Sequence, residues 1–253
     1  MSAQVSRTPE AHIREIYTAL SRAWGPQHWW PARTRFEVIV GAYLTQNTNW
    51  TNVELALRKL REARVLTVAG IRDLPPDELE QLIRSSGYFR QKASRLKAFI
   101  NFLDENYGGS LTKMFSQPTA LLREQLLLLN GVGPETADSI LLYAGQHSVF
   151  VVDAYTRRLA TRHHIAPENA TYEELRTLFG RALESIPATQ TAAAPATGGA
   201  CHPPSRMSMA KRCASAQVFN EMHGLIVGVG KTYCRKSRPD CEHCPLKCFL
   251  PAS

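Results

Sequence analysis

The chain has 253 residues, 44% hydrophobic and 21% charged, and its 30 Lys and Arg against 22 Asp and Glu give a formal net charge of +8. This is enough apolar chain for one large or two small packed domains, and the moderate positive charge suits a partner bearing phosphates. No stretch of roughly 18 apolar residues occurs, and Met1–Glu15 is polar and mixed in charge, so neither a membrane span nor an export signal is expected.

Helical periodicity dominates, with little sustained alternation of period two. Ala11–Trp24 is predicted as a helix, followed by His28-Trp29-Trp30-Pro31. Arg35–Thr45 is a second, buried helix, because Phe36, Val38, Ile39, Val40, Ala42 and Leu44 leave it little polar face. Thr45-Gln46-Asn47-Thr48-Asn49-Trp50 comes next, and three of the four tryptophans lie in these two segments. Such aromatics either complete a core or offer flat faces to a planar ligand. Asn52–Ala63 is a third helix, and Pro75-Pro76-Asp77 opens a fourth with prolines and acid at its start. A fifth runs over Gln91–Asn106 to Gly108-Gly109. Arg84, Arg90, Lys92, Arg95 and Lys97 surround the Gly87-Tyr88-Phe89 break, which predicts a phosphate-facing surface.

The most informative stretch is Leu128-Leu129-Asn130-Gly131-Val132-Gly133-Pro134-Glu135-Thr136-Ala137. A helix over 119–128 ends at Asn130-Gly131, and Pro134 suits the first position of a new one. Glycine reaches positive φ without a Cβ penalty, so the turn can be very tight, and amides at such a turn form a concavity for phosphate. After the apolar run Ser148–Val152 comes Asp153, twenty residues beyond Gly133, then a basic helix over 156–163 with Arg157 and Arg158. Asp153 reads either as an N-cap or as an acid that stabilises a cationic sugar or activates water. Helices over 171–185 and Phe219–Gly228 follow. Between them, 188–216 is low in complexity and reads as a flexible insertion.

Cys234, Cys241, Cys244 and Cys248 form C-x6-C-x2-C-x3-C, four thiols within fifteen residues. Thiolates at this density bind tetrahedral zinc or a [4Fe–4S] cluster, and the spacing does not choose between them. Two disulfides are disfavoured where thiols stay reduced. Cys201 and Cys213 match no ligand spacing and read as free thiols.

The hairpin Gly131–Ala137 together with Val151-Val152-Asp153 resembles the helix-hairpin-helix/Gly-Pro-Asp superfamily of DNA glycosylases, and within it the endonuclease III family, from about Phe36 to Cys248. The resemblance implies an all-α fold of two helical lobes with a DNA cleft between them, and a C-terminal iron–sulfur loop. Its parts would be 1–35, an N-terminal helix belonging to the cluster-bearing lobe; 36–145, the lobe with the hairpin; 146–233, the catalytic segment carrying the insertion; and 234–248, the cysteine loop. Asp153 matches the family's essential aspartate. Gly131, Val132, Gly133 and Thr136 match the DNA-gripping hairpin, with Asn47 and Arg157 as further DNA contacts. Gln46 matches the glutamine that fills the gap left by a flipped base. The cysteines match the place of a [4Fe–4S] cluster, with zinc the alternative, although the last interval is two residues shorter than the family's C-x5-C.

Bifunctional members carry a lysine in the hairpin's second helix. This chain has Glu135 there, so no Schiff base can form from that position. A monofunctional glycosylase is therefore expected. Trp29-Trp30-Pro31, with Thr45-Gln46-Asn47-Thr48 and Trp50, looks most like the 3-methyladenine glycosylase branch, in which these aromatics stack on the alkylated purine. That branch carries a lysine just after the aspartate, where this chain has Ala154. The expected partner is double-stranded DNA with a damaged base, bound by a monomer in the cytoplasm at the nucleoid, with no membrane. Three alternatives stand beside this one: a glycosylase for oxidised or mismatched pyrimidines, with or without lyase activity; a helix-hairpin-helix protein that binds DNA without chemistry; and an iron–sulfur sensor.

Overall fold

The computed structural model describes residues 8–187 and 202–250. The described residues are helical, without strands, and the chain divides into two compact units, Ala32–His147 and Met1–Pro31 with Ser148–Ser253. Among the described residues no helix is long and apolar enough to cross a membrane.

The unit 32–147 is built on α2 (Arg35–Thr45), which matches its expected bounds. The Thr34 hydroxyl caps it by accepting from the Glu37 amide at 3.1 Å. Every residue from Phe36 to Leu44 is buried, so α2 is a central helix with neighbours all round. Around it lie α3 (Trp50–Glu62), α6 (Phe89–Tyr107), α9 (Pro134–Ser139) and the π-helical turn Ile140–Gly145 that prolongs α9. Full burial of side chains such as Val38, Ile39, Ile100 and Leu141 stabilises the unit by roughly 1.5–3 kcal/mol each. Helices α5 (Pro76–Leu82) and α8 (Thr119–Leu127) were legible as patterns. Two short helices were not: α4 (Val68–Asp73) and α7 (Leu111–Phe115). Each is a single turn or so started by a Thr67 or Ser110 side-chain cap, too short for periodicity to show.

The basic run 84–97 does not form one phosphate-facing surface. Lys92 is 1% exposed and donates to the carbonyls of Leu44 and Ser86 at 2.9 and 2.6 Å. The Lys97 ammonium is spent on the carbonyls of Ile71, Arg72 and Leu74. Helix ends leave carbonyls without partners, and here lysines on α6 satisfy those at the ends of α2 and α4. Arg84 and Arg90 stay exposed and flank the Phe89 ring.

Burial pushes the Lys92 ammonium from 10.5 down to about 8. Between these two pH values the unfolded chain binds the extra proton, so stability rises with pH there. The cost of keeping Lys92 charged inside the unit is full below pH about 8 and gone near 10.5. Urea denaturation should therefore show Lys92→Met losing about 3 kcal/mol relative to wild type across that window. A constant difference between the two proteins would overturn this.

The other unit joins α1 (Pro9–Trp24) to α10 (Ala154–Arg162), α11 (Tyr172–Glu184) and α12 (Ala214–Thr232). Ile13, Ile16, Tyr17 and Leu20 bury one stripe of α1. Phe150, in the apolar run before Asp153, stacks on Phe179 at 5.0 Å between centroids and meets Phe219 edge-on at 5.8 Å. This cluster pins the entry to α10. Of the stretch expected as a flexible insertion, 188–201 and with it Cys201 lie outside the described residues, and the rest is folded. Ser205 donates to the Trp30 carbonyl at 3.2 Å, Met207 is 6% exposed, and α12 already begins at Ala214. Residues 202–216 are thus folded in spite of the composition of the stretch, because single residues such as Met207 anchor them. Cys213, exposed at the N-cap of α12, is a free thiol.

Candidate active site

In the unit 32–147 the hairpin forms as the glycines predict. Gly131 has φ +78°, Gly133 is extended, and Pro134 opens α9. The Gln46 side chain lies against it, donating from Nε2 to the Gly131 carbonyl at 2.8 Å and to the Thr136 hydroxyl at 3.0 Å. Its Oε1 accepts from Arg95 at 2.8 Å. Arg95, read from sequence only as one of the basic residues of 84–97, is here part of the hairpin's support. Its guanidinium occupies the space beside Gly131, where a Cβ would come within 2.0 Å of Nε, so only glycine fits on both φ and volume. Gln46, Gly131 and Thr136 are thus brought together; Val132 is buried, Gly133 and Glu135 are exposed. Gln46 has both ends of its amide engaged by the hairpin and Arg95. Asn47 is exposed with φ +54°, and Trp50 is half-buried as the first residue of α3. The two hairpin helices are tied by Arg123 of α8, which grips the fully buried Asp138 of α9 at 2.7 and 3.1 Å.

In the other unit Asp153 is the N-cap of α10. Oδ1 accepts from the Thr156 amide at 2.8 Å and from its hydroxyl at 3.0 Å. Oδ2 lies outside the cap, 3.9 Å from His223 Nε2, and the side chain is 13% exposed. The two readings of Asp153 are therefore compatible: one oxygen caps, and the other takes no part in the cap and lies at the positive end of the α10 dipole. His223, on α12, was missed by sequence. Its ring is buried, with Nδ1 3.3 Å from the Val151 carbonyl. Burial pushes its pKa below the ordinary histidine value, against the opposing pull of the Asp153 carboxylate and the Val151 carbonyl.

Trp29 and Trp30 are 8% and 6% exposed, so both are packed inside this unit. The Trp29 ring lies against His223, centroids 5.6 Å apart, and Lys231 sits over it at 6.0 Å. The loop that carries Trp29 docks on α12. Glu221 Oε2 accepts from the Gln27 amide at 2.7 Å, and a Cβ at Gly224 would stand 2.8 Å from that of Gln27. Pro31 follows, half-buried. Trp50 belongs to the other unit.

The basic face of α10 is committed to neighbouring chain. Arg157 donates to the Ala170 carbonyl at 2.7 Å, and Arg158 to the Cys234 carbonyl at 2.6 Å. Arg162 reaches Cys234 Sγ at 3.2 Å and the Arg235 carbonyl at 2.8 Å. The cysteine loop lacks regular backbone pairing, and guanidiniums with several donors each satisfy its carbonyls. Cys234, Cys241 and Cys244 line one small cavity beside Arg162; Cys248 is exposed and does not. Among the described residues no three His, Cys, Asp or Glu side chains converge closely enough to hold a metal ion. The donor chemistry of the three cavity thiols fits a thiolate-bound centre, and Cys248 lies outside that cavity.

Residues 40–185 match the HhH-GPD superfamily base excision DNA repair proteins, and the chain belongs to that family. Its function is that of a base excision repair DNA glycosylase. It is 40% identical over 239 residues to a provisionally named DNA repair glycosylase of Methanocaldococcus jannaschii, covering 94% of each chain. Among solved structures it is similar to the H. pylori 3-methyladenine DNA glycosylase bound to 1,N6-ethenoadenine, with TM-score 0.69 and 27% identity over 88% of this chain and 97% of that one. It shares the fold of endonuclease III in a non-covalent DNA complex, with TM-score 0.70 and 20% identity over 95% and 94% of the two chains.

Proposed function

We propose that this glycosylase acts as a monomer on double-stranded DNA, removes an alkylated purine by hydrolysis, and leaves the abasic site uncut. The observation that carries the mechanism is the division of labour within Asp153, whose Oδ1 fixes the side chain to α10 while Oδ2 stays outside the cap. As the base leaves with the bonding electron pair, C1′ becomes cationic, and a fixed carboxylate stabilises that charge. Water then adds to C1′ and its proton passes to Asp153. N3- and N7-alkylated purines are already cationic and leave as neutral bases, so no separate acid is needed. The likeness to the H. pylori 3-methyladenine enzyme supports this substrate class. Trp50 offers an aromatic face in its unit, and aromatic faces favour a cationic base.

The amines in these units support hydrolysis over lyase chemistry. Glu135 stands at the hairpin position of the lyase lysine, Lys92 and Lys97 are locked onto carbonyls, and Lys231 lies over Trp29. Borohydride should trap no adduct between the wild-type protein and abasic duplex; a trapped adduct, whichever amine forms it, would end the monofunctional reading. The substrate is tested by free-base release from duplexes carrying alkylated, deaminated and oxidised bases. Release of 3-methyladenine at the highest rate, and its loss in Trp50→Ala with DNA affinity kept, is the expected result. Preferential release of an oxidised pyrimidine would overturn it.

The same reading assigns a [4Fe–4S] cluster to the C-terminal loop, held by Cys234, Cys241 and Cys244 with Cys248 as the fourth thiolate of the segment. When bound, the cluster would crosslink a loop that Arg158 and Arg162 already fasten to α10, and its chemistry would be structural. Metal analysis of the purified protein decides it: about four irons per chain supports the assignment, and stoichiometric zinc overturns it.

A further inference from the structure

We propose that Arg95 is a positioning residue for base displacement. It orients the Gln46 amide before DNA arrives and ties it to the hairpin, a role that presupposes Gln46 as the side chain entering the gap left by a flipped base. The orientation follows from hydrogen-bonding valence. A guanidinium only donates, so the end of Gln46 that meets Arg95 Nη1 at 2.8 Å is Oε1. The Gly131 carbonyl only accepts, so the end facing it is Nε2, which donates to it at 2.8 Å and to the Thr136 hydroxyl at 3.0 Å. Both Nε2 hydrogens are then used, and the amide has one allowed setting in place of two. Gln46 is the C-cap of α2, where the backbone has already left the helix, so its polar atoms are held from α6 and the hairpin and not from α2.

The charge on Arg95 points the same way. Among the described residues it has no carboxylate partner, and Gln46 Oε1 is its one hydrogen-bond acceptor. Yet the guanidinium is half-buried and lies so close to Gly131 that a Cβ there would come within 2.0 Å of Nε and 2.4 Å of Cζ. Stability alone would favour an apolar side chain in that place, since a cation withdrawn from water without a counter-charge costs free energy. After burial, the Arg95 charge is also what helps push the Lys92 ammonium down to about 8. What the cation accomplishes is a grip on one amide oxygen beside the tight turn. A free glutamine would lose its rotamer freedom on entering the duplex, and one already held loses less, which favours the displaced state. Gln46 is half-buried, not enclosed, and its Nε2 sits on the hairpin's own carbonyl, so the side chain and the turn keep one register.

The test is a double-mutant cycle in the full-length protein with Arg95→Met, Gln46→Ala and both together, and Arg95→Lys beside them. It uses whichever lesion duplex the wild type clears fastest, so the identity of the excised base does not enter. Methionine keeps a stem beside Gly131 and removes the donors. Arg95→Met should lose about tenfold in single-turnover base release at saturating protein, with thermal unfolding unchanged or raised. It should also lose the brightening of a 2-aminopurine placed next to the lesion, which reports unstacking and which a merely structural role would not move. Arg95→Lys keeps one donor for Oε1 and should recover part of both. In the Gln46→Ala background the same Arg95→Met change should cost less than about twofold. An Arg95→Met rate within about twofold of wild type, or a tenfold loss in both backgrounds, would overturn the proposal. So would a loss confined to affinity for undamaged duplex with a salt slope lower by about one, which would make Arg95 a phosphate contact. A Gln46→Ala protein that releases base and brightens 2-aminopurine as wild type does would remove the Gln46 assignment and this proposal with it, while the Asp153 reading stands. Should Arg95→Met fail to fold, relaxation of the Gln46 side-chain amide in the wild type decides: an order parameter of about 0.85, as in rigid backbone, supports the proposal, and one below about 0.6 overturns it.

Discussion

Asp153→Asn should lower base release by about 10²–10⁴-fold while the protein melts where the wild type does. The two outcomes separate because the residue does two things with two oxygens. Asn is as good an N-cap as Asp, so the bond to the Thr156 amide at 2.8 Å and the start of α10 survive the substitution. What is lost is the negative charge at Oδ2, the one oxygen outside the cap. DNA affinity should change little, since removing a carboxylate next to a polyanion does not weaken phosphate contacts. Measuring single-turnover release, duplex binding and thermal unfolding on the same preparation gives the answer. Activity within tenfold of wild type would show that Asp153 is a cap and nothing more.

Arg123→Leu should destabilise the protein by about 3–5 kcal/mol, the largest stability loss expected from a single change in the hairpin. Asp138 is fully buried, and the Arg123 fork at 2.7 and 3.1 Å is its chief counter-charge. Removing one partner leaves a carboxylate in a dry interior, where its lost hydration is no longer offset. Replacing both, Arg123→Leu with Asp138→Leu, should recover much of the loss, because a buried ion pair is worth little more than well-packed apolar side chains. Equilibrium urea unfolding of the two single variants and the double variant closes the cycle. A loss under about 1 kcal/mol for Arg123→Leu would mean that other donors satisfy Asp138. The pair joins α8 to α9, so duplex binding should weaken in step with stability.

The sequence was legible wherever chemistry is local. The buried helix Arg35–Thr45, the tight turn at Gly131, the proline start of α9 and the cap at Asp153 all follow from near neighbours, and the structure has them at those places. The family, too, was carried by short motifs. Side-chain destinations were not legible. Lys92 and Lys97 read as a phosphate-facing surface, and Arg157 and Arg158 as part of a basic helix, but all four turn onto carbonyls of distant helix ends and loops, as does Arg162. A sequence shows a cation and not the orphan acceptor it will meet. Trp29 and Trp30 read as stacking faces and are packed against α12 and its surroundings.

The sequence by itself determined an all-helical glycosylase of the HhH-GPD family with one exposed hairpin and one acid, because period, capping and turn chemistry act within a few residues. Only the tertiary structure decided which groups attend them. Arg95 beside Gly131 and His223 facing Asp153 come from elements 36 and 70 positions away in the chain, and such pairings exist only once burial has brought those elements into contact.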